Sequence, residues 1–114
     1  MDGLELILLY DYYGNLLTDR QRECFEMRYN QDLSLGEIAQ ILGISRQGVH
    51  DNLSRTEALL RNMEEKTGCV SRDRNCRKAM RTIRQSAEQL LQLNDPRVSD
   101  LVNDIISAAR RLEE

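Results

Sequence analysis

Tryptophan is absent, phenylalanine and proline each occur once, and only 4% of the 114 residues are aromatic. So few strand-favouring aromatics, with one proline, turn the expectation away from a β-rich fold and toward helices. Six glycines exclude a collagen-like or Gly/Ser-linker chain. No apolar run approaches the roughly 18 residues of a membrane span; the longest is Leu6–Tyr10. Histidine occurs once, at His50, and the three cysteines (Cys24, Cys69, Cys76) are an odd number. A disulfide framework is not expected from that count. Met1-Asp2-Gly3 offers no basic stretch of the kind that opens a signal peptide, so the expected location is cytoplasmic. What is present suffices for a core: 40% of the residues are hydrophobic and 31% charged.

The net charge of −3 argues mildly against a function dominated by phosphate binding. Its distribution is uneven. Residues 1–45 hold three Lys/Arg against eight Asp/Glu, residues 46–68 balance, and residues 69–84 hold six against one. Residues 85–114 return to a net −3. The basic block consists of Arg72, Arg74, Arg77, Lys78, Arg81 and Arg84.

The pattern of apolar residues and caps predicts about six helices. Residues 4–13 form an amphipathic helix with Leu4, Ile7, Leu8 and Tyr12 on its apolar side, stopped by Gly14-Asn15. Thr18 opens a second helix through a Thr18-x-x-Gln21 capping box, and Phe25 and Tyr29 supply its stripe. Ser34-x-x-Glu37 opens a third, carrying Leu35, Ile38, Ala39, Ile41 and Leu42. Ser45 then caps a long helix from Arg46, with Val49, Leu53, Thr56, Leu60 and Met63 on one face, ended by Thr67-Gly68. Beyond it, Cys76, Met80, Ile83, Ala87 and Leu90 recur at 4-3-4-3 spacing. After Asp95-Pro96, Val98, Val102, Ile105, Ala109 and Leu112 do the same. Two such helices read as an antiparallel hairpin. The expected domains are residues 1–68, a helix-turn-helix bundle, and residues 69–114, a helical hairpin.

Residues 35–53 carry the strongest functional signal. A helix-turn-helix needs a small residue where its helices cross, a residue that can turn sharply, and apolar residues that lock the second helix onto the first. Ala39, Gly43 and Val49 fill those places, with Ile44 as a plug beneath the turn and Ile38, Leu42 and Leu53 completing the small core. The stretches Leu17-Thr18-Asp19-Arg20-Gln21-Arg22, Leu33-Ser34-Leu35-Gly36-Glu37-Ile38-Ala39 and Leu42-Gly43-Ile44-Ser45-Arg46-Gln47-Gly48-Val49 resemble region 4 of bacterial sigma factors. The chain is more closely similar to the YlxM-like proteins, small bacterial proteins with a helix-turn-helix of that type. That resemblance rests on Leu9-Tyr10-Asp11-Tyr12-Tyr13-Gly14, Leu16-Leu17-Thr18 and Ser45-Arg46-Gln47-Gly48-Val49-His50-Asp51-Asn52, and covers roughly residues 4–67. It implies a regulatory role and a link with signal recognition particle components. A chain of this length is not expected to hold the second promoter-reading domain of a sigma factor.

With Val49 facing inward, Gln47, His50, Asp51 and Ser54 point outward, and Arg46 sits at the helix start. A recognition helix presents such residues to the major groove. Gln47 suits adenine, Arg46 guanine or phosphate, and Asp51 cytosine; Ser45 and the first free N–H groups suit a phosphate. The same side chains also make an ordinary solvated face, and Asp51 repels phosphate unless it meets a base. Any DNA affinity is therefore expected to be modest.

No cofactor, metal site or catalytic constellation is expected. Cys69 and Cys76 are seven apart with no histidine near, which is not zinc spacing; Cys24 and Cys76 read as small core residues. Arg72–Arg84 admits three readings: a solvated face, an auxiliary contact to DNA or RNA phosphates, or a surface for an acidic protein. Two functions follow. One is a DNA-binding regulator; the other is an adaptor for protein or RNA in which the helix-turn-helix is architectural. A homodimer through the C-terminal hairpin is expected, because a lone hairpin cannot cover its own apolar residues.

Overall fold

Two capping boxes and two left-handed glycines divide the first two thirds of the chain into helices. The computed structural model describes residues 3–113, among which six α-helices and no strand occur: α1 (Gly3–Tyr13), α2 (Asp19–Phe25), α3 (Leu35–Leu42), α4 (Arg46–Thr67), α5 (Cys69–Leu91) and α6 (Pro96–Glu113). The fold is all-α, as the composition implies. At Thr18 the Gln21 N–H donates to the hydroxyl at 3.2 Å and the Thr18 N–H donates to Gln21 Oε1 at 3.0 Å. Ser34 and Glu37 repeat this at 3.1 Å in both directions. Gly43 (φ 69°) and Gly68 (φ 61°) end α3 and α4 in the left-handed region that side chains resist.

The chain divides into two compact units, Met1–Val70 and Ser71–Glu114. In the first, Leu6, Leu9, Tyr13, Leu17, Phe25, Leu60 and Val70 form one buried cluster. The expected face of α1 is thus corrected: Leu4, Leu8 and Tyr12 are exposed, and Leu6, Leu9 and Tyr13 are buried. The helix is apolar nearly all round, so periodicity does not select its inner side; tertiary partners do. Tyr13 donates to Glu64 Oε1 at 2.7 Å and lies 2.6 Å from the Thr67 hydroxyl. The same carboxylate accepts the Val70 N–H at 3.0 Å, so one clasp joins α1, the end of α4 and the first turn of α5. Tyr10 stacks on Phe25 with centroids 4.3 Å apart, and Phe25 packs on Tyr29 at 4.5 Å. These contacts span a π-helical turn, Glu26–Asn30, that follows α2 and that sequence periodicity gives no sign of.

The second unit is the antiparallel hairpin of α5 and α6. Ala87, Val102 and Ile106 are buried with Leu91 against them. Arg84 donates to Glu113 Oε1 at 2.9 Å and Glu88 at 3.1 Å, and Arg110 lies 3.3 Å from Glu88. Asp95 accepts the Arg97 N–H at 2.9 Å, which caps α6 ahead of Pro96 as expected. The 4-3-4-3 seam needs correction. Ala87, Val102 and Ala109 face inward, but Cys76, Ile83, Leu90, Val98, Ile105 and Leu112 are exposed. Such spacing carries two rows about 60° apart, and the hairpin covers one of them, together with Leu91 and Ile106 on its other flank. Cys76 is uncovered for a second reason. Glu113, at the end of α6, meets Arg84 and Arg77, so α5 residues nearer its start lie past the partner helix.

Candidate nucleic-acid interface

The helix-turn-helix is assembled from α3 and α4 with α2 behind them. Cys24, Ile38, Ala39, Val49 and Leu53 form a buried cluster, backed by Met27, Leu33, Leu35 and Leu42. Ala39 thus occupies the helix crossing. Its carbonyl accepts both the Gly43 N–H at 2.9 Å and the Ile44 N–H at 3.1 Å, which closes the turn between the helices. Cys24 is a core residue as expected. Ile44 is not the buried plug that its type suggests: it is 38% exposed and leans over Gly48 on the first turn of α4. Ile41 is also exposed, because it falls off the face that Ile38, Ala39 and Leu42 share.

This packing leaves the start of α4 outward. Ser45 accepts the Gly48 N–H at 2.9 Å as N-cap, and Arg46, Gln47, His50, Asp51 and Ser54 are all exposed. Asp51 ties two of them together. Its Oδ1 accepts from Gln47 Nε2 at 2.9 Å and lies 3.7 Å from His50 Nδ1. The residues expected to face DNA therefore occupy one patch, with a carboxylate at its centre.

Two open clefts flank the patch. One, of about 530 Å³, runs along α3 from Ser34, Gly36 and Glu37 to Ile44 and Arg46. Its carboxylate is engaged: the backbone N–H and hydroxyl of Ser34 hold Glu37 below the usual carboxylate range. The other, of about 450 Å³, lies between α2 and α4 and is lined by Thr18, Arg20, Gln21, Asp51, Asn52 and Arg55 with Gly48. Asn52 lines this cleft, and its side-chain oxygen is buried with no hydrogen-bond partner among the described residues. Arg20 and Asn52 fall within the stretches that carry the family resemblance, but nothing in the spacing marks Arg20, Asn52 and Arg55 as a site; their meeting depends on how α2 packs against α4.

The basic block does not act as a unit. Arg84 is half-buried in the hairpin, and Arg77, though exposed, is tied down by Asp73 at 3.0 Å and by the Glu113 carbonyl at 2.9 Å. Arg74, Lys78 and Arg81 are exposed, as is Arg72 near the start of α5. Among the described residues no group of three metal-ligating side chains occurs, and no helix is long and apolar enough to cross a membrane.

Comparison with known proteins agrees with this geometry. A family model described as "Putative helix-turn-helix protein, YlxM / p13 like" matches residues 2–99; it describes a helix-turn-helix family and not an enzyme family. A UPF0122 protein of Thermoanaerobacter sp. (strain X514) is 46% identical over 99% of this chain and 95% of its own length. One from Caldanaerobacter subterraneus is 54% identical over 74% of this chain and 72% of its own. One from Bacillus cereus (strain AH187) is 33% identical over 92% of this chain and 91% of its own.

Proposed function

Because the chain belongs to the YlxM/p13-like UPF0122 family, we propose that it is a non-catalytic, cytoplasmic DNA-binding regulator that acts as a homodimer through its C-terminal hairpin. The observation that carries this reading is the outward start of α4 between two clefts that each bear arginine: Arg46 on one side, Arg20 and Arg55 on the other. A helix laid in the major groove has a phosphate backbone on each flank, and cations there fix its register. Arg46, Gln47, His50, Asp51 and Ser54 form the surface that meets base edges, and Ser45 with the first N–H groups of α4 takes a phosphate. Gln47 held by Asp51 presents a fixed pair of groups, with donor and acceptor adjacent, which favours selectivity over raw affinity.

A second reading has one observation in its favour. Arg74, Lys78 and Arg81 project from the same side of α5, away from the helix-turn-helix patch in sequence, and would suit RNA or an acidic protein in an adaptor. A salt titration separates the two. Anisotropy of a labelled mixed-sequence duplex should report binding that falls by at least tenfold between about 50 and about 200 mM salt. Arg46→Ala with Gln47→Ala should weaken it severalfold while helical circular dichroism is unchanged. Absence of binding at the lower salt rejects the regulator in favour of the adaptor.

A further inference from the structure

The hairpin leaves one long face unpaid for by its own packing. Ile83 and Leu90 follow the inward Met80 and Ala87 by three residues, and Ile105 and Leu112 follow Val102 and Ala109 in the same way. Each step of three turns the side chain by about 60° in one rotational sense. Because α5 and α6 run antiparallel, that sense carries both rows to the same side of the hairpin. Val98 and Leu101 extend the α6 row, and Leu101 and Leu112 are 64% and 63% exposed. Between the large residues stand small ones, Ser86 on α5 and Ala108 on α6, both exposed.

Charge is sorted to match. Arg74, Lys78 and Arg81 lie on the opposite side of α5, and along α5 from Asn75 to Leu91 the apolar side holds no ionisable group except the Cys76 thiol. The outer rim of the α6 row carries Arg97, Asp104 and Arg111, alternating in sign every seven residues. A patch that is apolar at its centre and carries both signs at one rim complements itself. The 18 residues of α6 make a face about 27 Å long, and two helices side by side make it about 20 Å wide. That outline, about 540 Å², is at the top of the range for the largest apolar patch of an ordinary monomer, a size that often marks a binding surface, and is of the same order as the about 800 Å² that each partner of a stable interface buries.

We infer that this face binds the same face of a second copy of the chain, and that the two hairpins form a four-helix bundle whose inner layer is Ile83, Leu90, Val98, Leu101, Ile105 and Leu112. Large residues of one copy enter the gaps over Ser86 and Ala108 of the other, as in four-helix packing. A two-fold axis makes one patch serve both subunits. This names the surface for the homodimer of the proposed function and rests on that reading only for the choice of a second copy as occupant. DNA plays no part in its test.

Sedimentation equilibrium of the full chain at micromolar concentration should give twice the 13.2 kDa of one chain. Ala108→Arg removes no contact within a copy and suits a helix, so it should keep its circular dichroism and weaken self-association at least tenfold. Ile83→Glu with Ile105→Glu should do the same, and Arg81→Ala, on the far side, should leave the dimer intact. A monomer at micromolar wild-type concentration overturns the inference, whether or not DNA is bound. A dimer that Ala108→Arg leaves unchanged also overturns it, since another surface then holds the copies together.

Discussion

Ala39 and Val49 hold the helix-turn-helix together from opposite requirements, one for smallness and one for filling space. Ala39 sits at the crossing with its carbonyl in the turn, so Ala39→Leu inserts three carbons where the helices touch and should cost about 1–3 kcal/mol. Val49 is fully buried, and Val49→Asp should cost more, since the carboxylate finds no partner there. Thermal melts of the two variants read both effects; parent-like stability in both would remove the basis for the crossing. Tyr10 and Tyr29 make a different prediction. Their phenols are pushed from 10.0 up to about 12, by burial first and then by hydrogen bonds to Glu26 and Glu57. The folded state thus holds these protons more tightly than the unfolded chain does. The resulting stability is complete below pH 10 and is lost as pH rises through about 12. Urea midpoints should fall across that interval, and the fall should be shallower in the Tyr10→Phe, Tyr29→Phe double variant. Equal slopes in the two proteins would show that other groups carry the alkaline loss.

Helix boundaries depend on neighbours within four residues, which is why both capping boxes, the turn at Gly43 and the stop at Gly68 are legible in the sequence. Gly43 shows how local that information is. It lies at φ 69° with nothing within 4 Å of where a Cβ would stand, so only backbone conformation demands glycine. Gly43→Ala should therefore cost about 1–2 kcal/mol by strain alone, read as a lowered denaturation midpoint with unchanged helicity; a neutral substitution would mean that the turn has relaxed. The facing of helices is less legible. Apolar residues surround α1, so its inner face is set by Glu64, Leu60 and Phe25 from distant segments. In the hairpin the heptad spacing identifies both apolar rows, but which row turns inward depends on Leu91, Ile106 and the Arg84–Glu113 pair. The cleft of Arg20, Asn52 and Arg55 requires α2 beside α4, and no spacing within either helix announces it.

For the whole molecule, the sorting of charge is what would let a chain with a net −3 approach DNA as proposed. Acidic residues predominate in residues 1–45, while arginines stand in both clefts beside the exposed start of α4. With few cations and a central Asp51, the proposed DNA contact would be weak and salt-sensitive per copy, and the proposed pairing of two copies would strengthen it by making the second contact intramolecular. The outward residues of α4 were identifiable from 3.6-residue periodicity, since one inward anchor, Val49, fixes the direction of the rest. In the proposed function this face, and not the basic stretch of α5, meets DNA. Amide NMR shifts of the labelled full chain during titration with duplex DNA test it most directly. Shifts concentrated in residues 45–55 and around Thr18–Gln21, fading together as salt is added, are expected. Shifts confined to residues 72–84, or none at low salt, would contradict it.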